Sequence, residues 1–363
     1  MKFLRHAPPR YWLVLIAVVL LIGLPAQVTP FQSSEWAEVL ILAIGIMGLN
    51  ILVGYSGQIS LGHGAFMALG AYTTAILIHR YHLNYLATIP IAGLLAGAVG
   101  FILGIPALRL SALYLALATF ALAVVTPSLI KRPVQLTGGT QGILLVPPEP
   151  PQVAQDAYAF MTGGPPMSGE QWIYYVSLAV ALVLFWLAWN IVRHRPGRAM
   201  RAIRDGEVAA AAFGINVAGY KTIAFGISAF YAGVAGALYA LLIGFVSPDT
   251  FPVALSFTLL VGSVIGGLAS IPGPLVGGMF AFWLPILSGQ WVSTQDWIPA
   301  PVAEVFKNAG PAVTYGALLI LIMVFAPNGV VGLIVSGYRR LRSRIRGAGE
   351  QGTGQMPPDA HTI

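Results

Sequence analysis

The sequence predicts an all-α, polytopic membrane protein of about ten transmembrane helices, with a glycine-rich break after the second. Three observations carry this. Hydrophobic residues make up 57% of the 363-residue chain and charged residues only 9%, against roughly 25% charged in an average soluble domain. Apolar runs recur along the chain, each near the roughly 20 residues a membrane helix needs. Finally, Gly54–Phe66 gathers Gly54, Gly57, Gly62 and Gly64 with Ser56, Gln58, Ser60 and His63 between two such runs.

The spans are expected at 11–28, 36–54, 60–78, 85–105, 110–130, 171–192, 220–245, 253–270, 272–288 and 312–335. Residues 1–35 form an N-terminal end and first helix, 36–346 a membrane core, and 347–363 a polar tail expected to be disordered. Lys2, Arg5 and Arg10 precede the first run as in a signal peptide. Leu24, however, stands where a cut after Ala26 would need a small residue, so an uncleaved helix is expected. Only Ser270-Ile-Pro-Gly-Pro274 separates the eighth and ninth runs, which therefore form a tight hairpin. The loop 131–170 holds seven prolines, six of them from Pro147 to Pro166, and is too short for an independent substrate-binding domain.

Orientation follows from lysine and arginine bias. With both ends inside, the outer side keeps only Arg80, Lys131, Arg132 and Lys307 of the 19 basic residues, and the carboxylates divide the other way. The formal charge of +7 is then mostly a topological signal, not a nucleic-acid footprint, and the basic run 339–346 is expected to lie against an anionic inner leaflet.

Several functions are disfavoured. There is no cysteine, so disulfides, thiolate metal sites and cysteine nucleophiles are excluded. Within the spans the ionisable groups are Glu38 and Lys221 at edges and His63 in the break, which argues against a proton-driven carrier. No catalytic set lies in the spans, and no cofactor is expected. Gly214–Gly219 resembles a phosphate-binding loop, but Tyr220 stands where that loop needs lysine.

Two regions carry functional expectations. Glycine favours non-helical backbone, which at membrane depth is tolerated only where protein or a water-filled cavity satisfies it. Gly54, Gly57, Gln58, Ser60 and His63 are therefore expected to line or shape a pathway, as in the discontinuous helices of transporters. A tight turn at the membrane face and a packed, hydrogen-bonded His63 are the alternatives. The segment 193–217 reads as a turn at Pro196-Gly197, a helix from Arg198 to Phe213 with Gly206 as a weak point, and a cap at Gly214. Arg198, Arg201, Arg204 and Asp205 fall at helical spacing, and Ala202, Val208, Ala209 and Phe213 give a small apolar surface for docking. A basic helix lying on lipid is the alternative. The series Gly93, Gly97, Gly100, Gly104 and Ala229, Gly233, Gly236 permits close helix packing.

The chain resembles the LivM-type permease subunits of branched-chain amino acid ABC importers. The resemblance rests on Gly54–Phe66, Leu136–Ile143, Pro196–Asp205, Glu207–Asn216, Ala229–Tyr239, Ser247-Pro248, Ile265–Pro274 and Pro327–Gly329, in order over roughly 36–335. Gly206, where the family usually has a polar residue, and the proline-rich 147–170 loop depart from it. The resemblance implies a type II-like ABC importer permease in a bacterial inner membrane. It implies a homologous LivH-type permease, two cytoplasmic ATPases and a periplasmic binding protein as partners. It also implies an ATPase-coupling role for Arg198, Arg201, Arg204, Asp205, Glu207, Ala209, Phe213 and Gly214. LivM-like sequences also serve urea and short amides, and no residue here selects among these solutes.

Overall fold

The computed structural model describes residues 21–108, 110, 112–293, 316, 320 and 329–333. Most of the expected first span 11–28 and last span 312–335, the basic run 339–346 and the tail 347–363 lie outside them.

The described chain is helical, and helices stand at eight of the positions where spans are expected. They are α1 (Pro30–Leu49), α2 (His63–Tyr81), α3 (Tyr85–Ala107) and α4 (Ala112–Lys131), then α7 (Gly169–Arg193), α10 (Val217–Ile243), α11 (Val253–Gly266) and α12 (Gly273–Ser293). Among the described residues six helical segments are long and apolar enough to cross a membrane: Pro30–Tyr55, Tyr85–Pro106, Leu113–Lys131, Gly169–Arg193, Val217–Ile243 and Pro248–Gly266.

Polar caps move two starts ahead of the apolar runs. Thr29 and Gln32 form a reciprocal capping box before α1, as do Ser168 and Gln171 before α7, each satisfying donors the first turn leaves open. Past Leu49, α1 widens into a π turn over Asn50–Tyr55.

At one end of the bundle, here the loop end, the 131–170 segment is more ordered than its prolines suggest. It holds α5 (Val134–Thr137), strand β1 (Ile143–Leu144) and α6 (Gln152–Thr162). β1 pairs antiparallel with β2 (Phe245–Val246), Ile143 opposite Val246. This small ladder is the one departure from an all-α chain among the described residues. Tyr158 and Gln171 both donate to the Pro25 carbonyl, fastening α6 and α7 to the segment before α1.

The opposite end, the connector end, carries α8 (Arg195–Asp205) and α9 (Glu207–Ala212). The helix expected over Arg198–Phe213 is thus two helices, parted at Gly206, whose backbone is extended.

α10 is the central element and packs along α3, α2 and α1. A Cβ on Gly236 would collide with the Met67 carbonyl, one on Gly70 with that of Gly233, and one on Gly100 with the Ala229 methyl. The small-residue series is thus a packing device that lets three backbones touch. Without a water-driven force between helices in lipid, such contact supplies the dispersion that holds them.

Candidate functional site: the glycine break and the connector

Beyond the π turn the break runs back into the bundle along α10. Gln58 Nε2 donates to the Lys221 carbonyl at 3.1 Å, in the second turn of α10. His63, the first residue of α2, meets Ser228. Seven residues of helix separate Lys221 from Ser228, roughly 10 Å at 1.5 Å per residue. Residues 56–62 therefore climb that distance into the bundle before α2 begins, and the start of α2 is buried.

Side chains of neighbouring helices satisfy the exposed backbone of this stretch. Thr119 Oγ1 on α4 accepts from Leu61 N at 2.9 Å, and Ser256 Oγ on α11 accepts from Gly64 N at 2.9 Å. Ser60 Oγ accepts from Gly62 N, and Gln58 also donates to Ser56. Buried backbone polar groups left without partners cost a few kcal/mol each, so these hydroxyls are what allows the helix to start inside the bundle. Ser56, Gln58, Ser60 and His63 are all buried, so the break is packed against its neighbours.

His63 is 1% exposed. Ser228 Oγ donates to the Gly48 carbonyl at 2.6 Å, so it accepts from His63 Nε2 across 2.6 Å. That assigns the proton to Nε2 and leaves Nδ1 without a hydrogen-bond partner. The imidazole here is a packed, bonded group holding α1, α2 and α10 together.

The connector is joined to the break. Arg204 Nη1 donates to the Gly54 carbonyl at 2.6 Å, and its aliphatic stem covers Gly57, whose φ is +73°. Arg201 donates to the carbonyls of Val192 and Gly197, closing the end of α7. Glu207 pairs with Lys221 on α10. These three members of the expected docking set thus bond into the bundle. All three remain exposed as well, and they share the outward face with Val208 and Phe213, both 87% exposed, and with Arg198, Asp205 and Ala209. Gly214, at φ +78°, ends α9 in a Schellman motif: Ile215 N reaches the Ala210 carbonyl and Gly214 N that of Ala211.

Sequence reasoning passed over Asn50, Thr119, Ser228 and Ser256. Their one signal was a lone polar side chain in an otherwise apolar span, which is costly there unless it has a partner.

A multi-helix bundle with a buried, side-chain-satisfied helix start and a connector bonded to it defines an integral membrane protein of the transport-permease class. The family described as the permease component of branched-chain amino acid transport systems matches residues 36–327, and the chain belongs to it. Over 88% of its length it is 32% identical to the high-affinity branched-chain amino acid transport system permease protein LivM of Escherichia coli K12, 74% of which is covered. It is 26% identical to the LivH permease protein of Salmonella typhimurium over 80% of this chain and 91% of that one. A probable LivM permease of Methanocaldococcus jannaschii is 23% identical over 83% of this chain and 94% of that protein. No solved structure matches the chain significantly.

Proposed function

We propose that the chain is one of two homologous permease subunits of an ATP-driven importer for branched-chain amino acids. Its partners are a LivH-type permease, two cytoplasmic ATPases and a periplasmic binding protein, in a bacterial inner membrane with both termini cytoplasmic. The observation that carries this reading is the connector: Arg204 bonds the break and Arg201 the end of α7, while Val208 and Phe213 stand uncovered at the same end. A helix pair anchored inward and apolar outward is suited to receive a partner and pass its movement on. Lysine and arginine bias puts that end in the cytoplasm, where ATPases reside. Gly54, Gly57, Gln58, Ser60 and His63 shape the pathway at the buried start of α2.

The test is reconstitution in liposomes. With all partners present, labelled leucine is taken up only when ATP is supplied. Concentrative uptake by this chain alone under a proton or sodium gradient would make it a secondary carrier instead. Uptake of urea or a short amide in place of leucine would keep the importer and change its solute.

A further inference from the structure

Asn50 is 0% exposed and sits at the first position of the π turn. Its amide spends both functions on one partner segment: Nδ2 donates to the Ser270 carbonyl at 2.6 Å, and Oδ1 accepts from Ala269 N at 2.8 Å. Those residues form the link between α11 and α12, where Ala269 holds a φ of +56°. Gly54, on the same π turn, lies against both groups, since a Cβ there would collide with Asn50 Oδ1 and Ala269 N. The carbonyl of that same glycine takes the Arg204 hydrogen bond.

The α11–α12 hairpin is itself a close-packed unit. A Cβ on Gly266 would collide with the Gly273 carbonyl, and one on Gly277 with that of Gly262. Movement of Ala269-Ser270 therefore carries both helices, including Ser256, which caps the buried start of α2. Tightly packed elements shift between discrete arrangements and do not deform continuously.

We infer that Asn50 is the positioning residue through which the connector moves the α11–α12 hairpin and, with it, the Ser256 contact at the start of α2. This rests on the proposed reading that the connector receives the ATPases. The route runs from Arg204 to Gly54, from the π turn through the Asn50 amide to Ala269-Ser270, and along α11 to Ser256. π turns within helices are frequent at functional sites, and here one turn holds both ends of the relay.

The absence of cysteine permits a direct test in the full complex. Leu268, on the hairpin link and 43% exposed, is replaced (Leu268→Cys) and its labelling by a charged thiol reagent timed without nucleotide and with ATP plus vanadate. The expected result is a change of about fivefold, the lower range of allosteric couplings, that vanishes on adding Asn50→Ala while the ATPases still co-purify. The same nucleotide-dependent change in Asn50→Ala overturns the inference, as does no change in the parent complex. If Asn50→Ala fails to insert, Arg204→Met breaks the other end of the relay, and an undiminished change there overturns it equally. Failure of the ATPases to co-purify with the parent chain refutes the importer reading instead, so the two failures are distinct.

Discussion

Arg204 donates a 2.6 Å hydrogen bond to the carbonyl of Gly54, joining the connector to the last turn of a central helix 150 residues earlier in the chain. A carbonyl in the π turn lacks the regular i→i+4 partner, and a guanidinium, always charged, supplies one. The glycine at 54 is required because Asn50 and Ala269 close on its other side. The connector thus holds the break by a fixed polar contact as well as by packing.

Replacing Arg204 by methionine keeps the stem over Gly57 and removes the donor. A hydrogen bond from a charged group contributes about 1.5–3 kcal/mol when buried, and this half-exposed side chain falls at or below the lower end because water screens it. Arg204→Met is expected to lower the melting temperature of the purified chain modestly and uptake by the complex more. Arg204→Lys, lacking the planar fork, should fall between. Unchanged melting and uptake in Arg204→Met would show that the contact is incidental.

Gly57 should resist substitution for two separate reasons. Its φ of +73° lies in the left-handed region, which costs an L-residue about 1–2 kcal/mol. An added Cβ would also stand 2.9 Å from Arg204 Cγ. Gly57→Ala is expected to lower thermal stability, whereas Gly23→Ala, where a Cβ meets nothing within 4 Å, should leave it unchanged. Equal effects at both positions would refute the strain argument.

The parts legible in the sequence were those written in local pattern. Apolar runs located eight helices, glycine density marked the break, and Gly214 announced the end of α9 through its own backbone geometry. The small residues of α3 and α10 were readable as packing surfaces because helical spacing lines them on one face. What the sequence withheld was pairing across distance. Asn50 sits in an apolar run, and nothing near it names Ala269, 219 residues away. Nor does helical spacing tell which face of a short basic helix turns inward. Arg201 and Arg204 fold back onto carbonyls left open by the end of α7 and by the π turn, groups that exist only once those elements are assembled.

The break presents alternating faces that chemical labelling can resolve. Ile59 is 41% exposed and Ser60 is 0% exposed. With no native cysteine to interfere, Ile59→Cys is expected to react with a charged, membrane-impermeant thiol reagent in the nucleotide-free complex, and Ser60→Cys only once the packing opens. If Ile59→Cys never reacts in any nucleotide state, that face meets lipid and the hydrated-pathway reading of the break fails.

The outward face of the connector separates docking from folding. Phe213 and Val208 are uncovered and bond nothing in the chain that a carboxylate would disrupt, so Phe213→Asp and Val208→Asp should insert normally. If this face seats an ATPase, each removes an interface anchor of about 2 kcal/mol, or roughly thirtyfold in affinity, and the ATPases should co-purify poorly. Arg201→Glu should behave differently, because Arg201 serves the Val192 and Gly197 carbonyls and its loss leaves the end of α7 unsatisfied. That variant is expected to lower the yield of inserted chain before docking is reached. A helix resting on lipid predicts the opposite ordering: buried apolar area sets binding to a membrane surface, so the aspartates would loosen the connector without touching ATPase recovery. Undiminished recovery with Phe213→Asp and Val208→Asp therefore assigns this face to the bilayer.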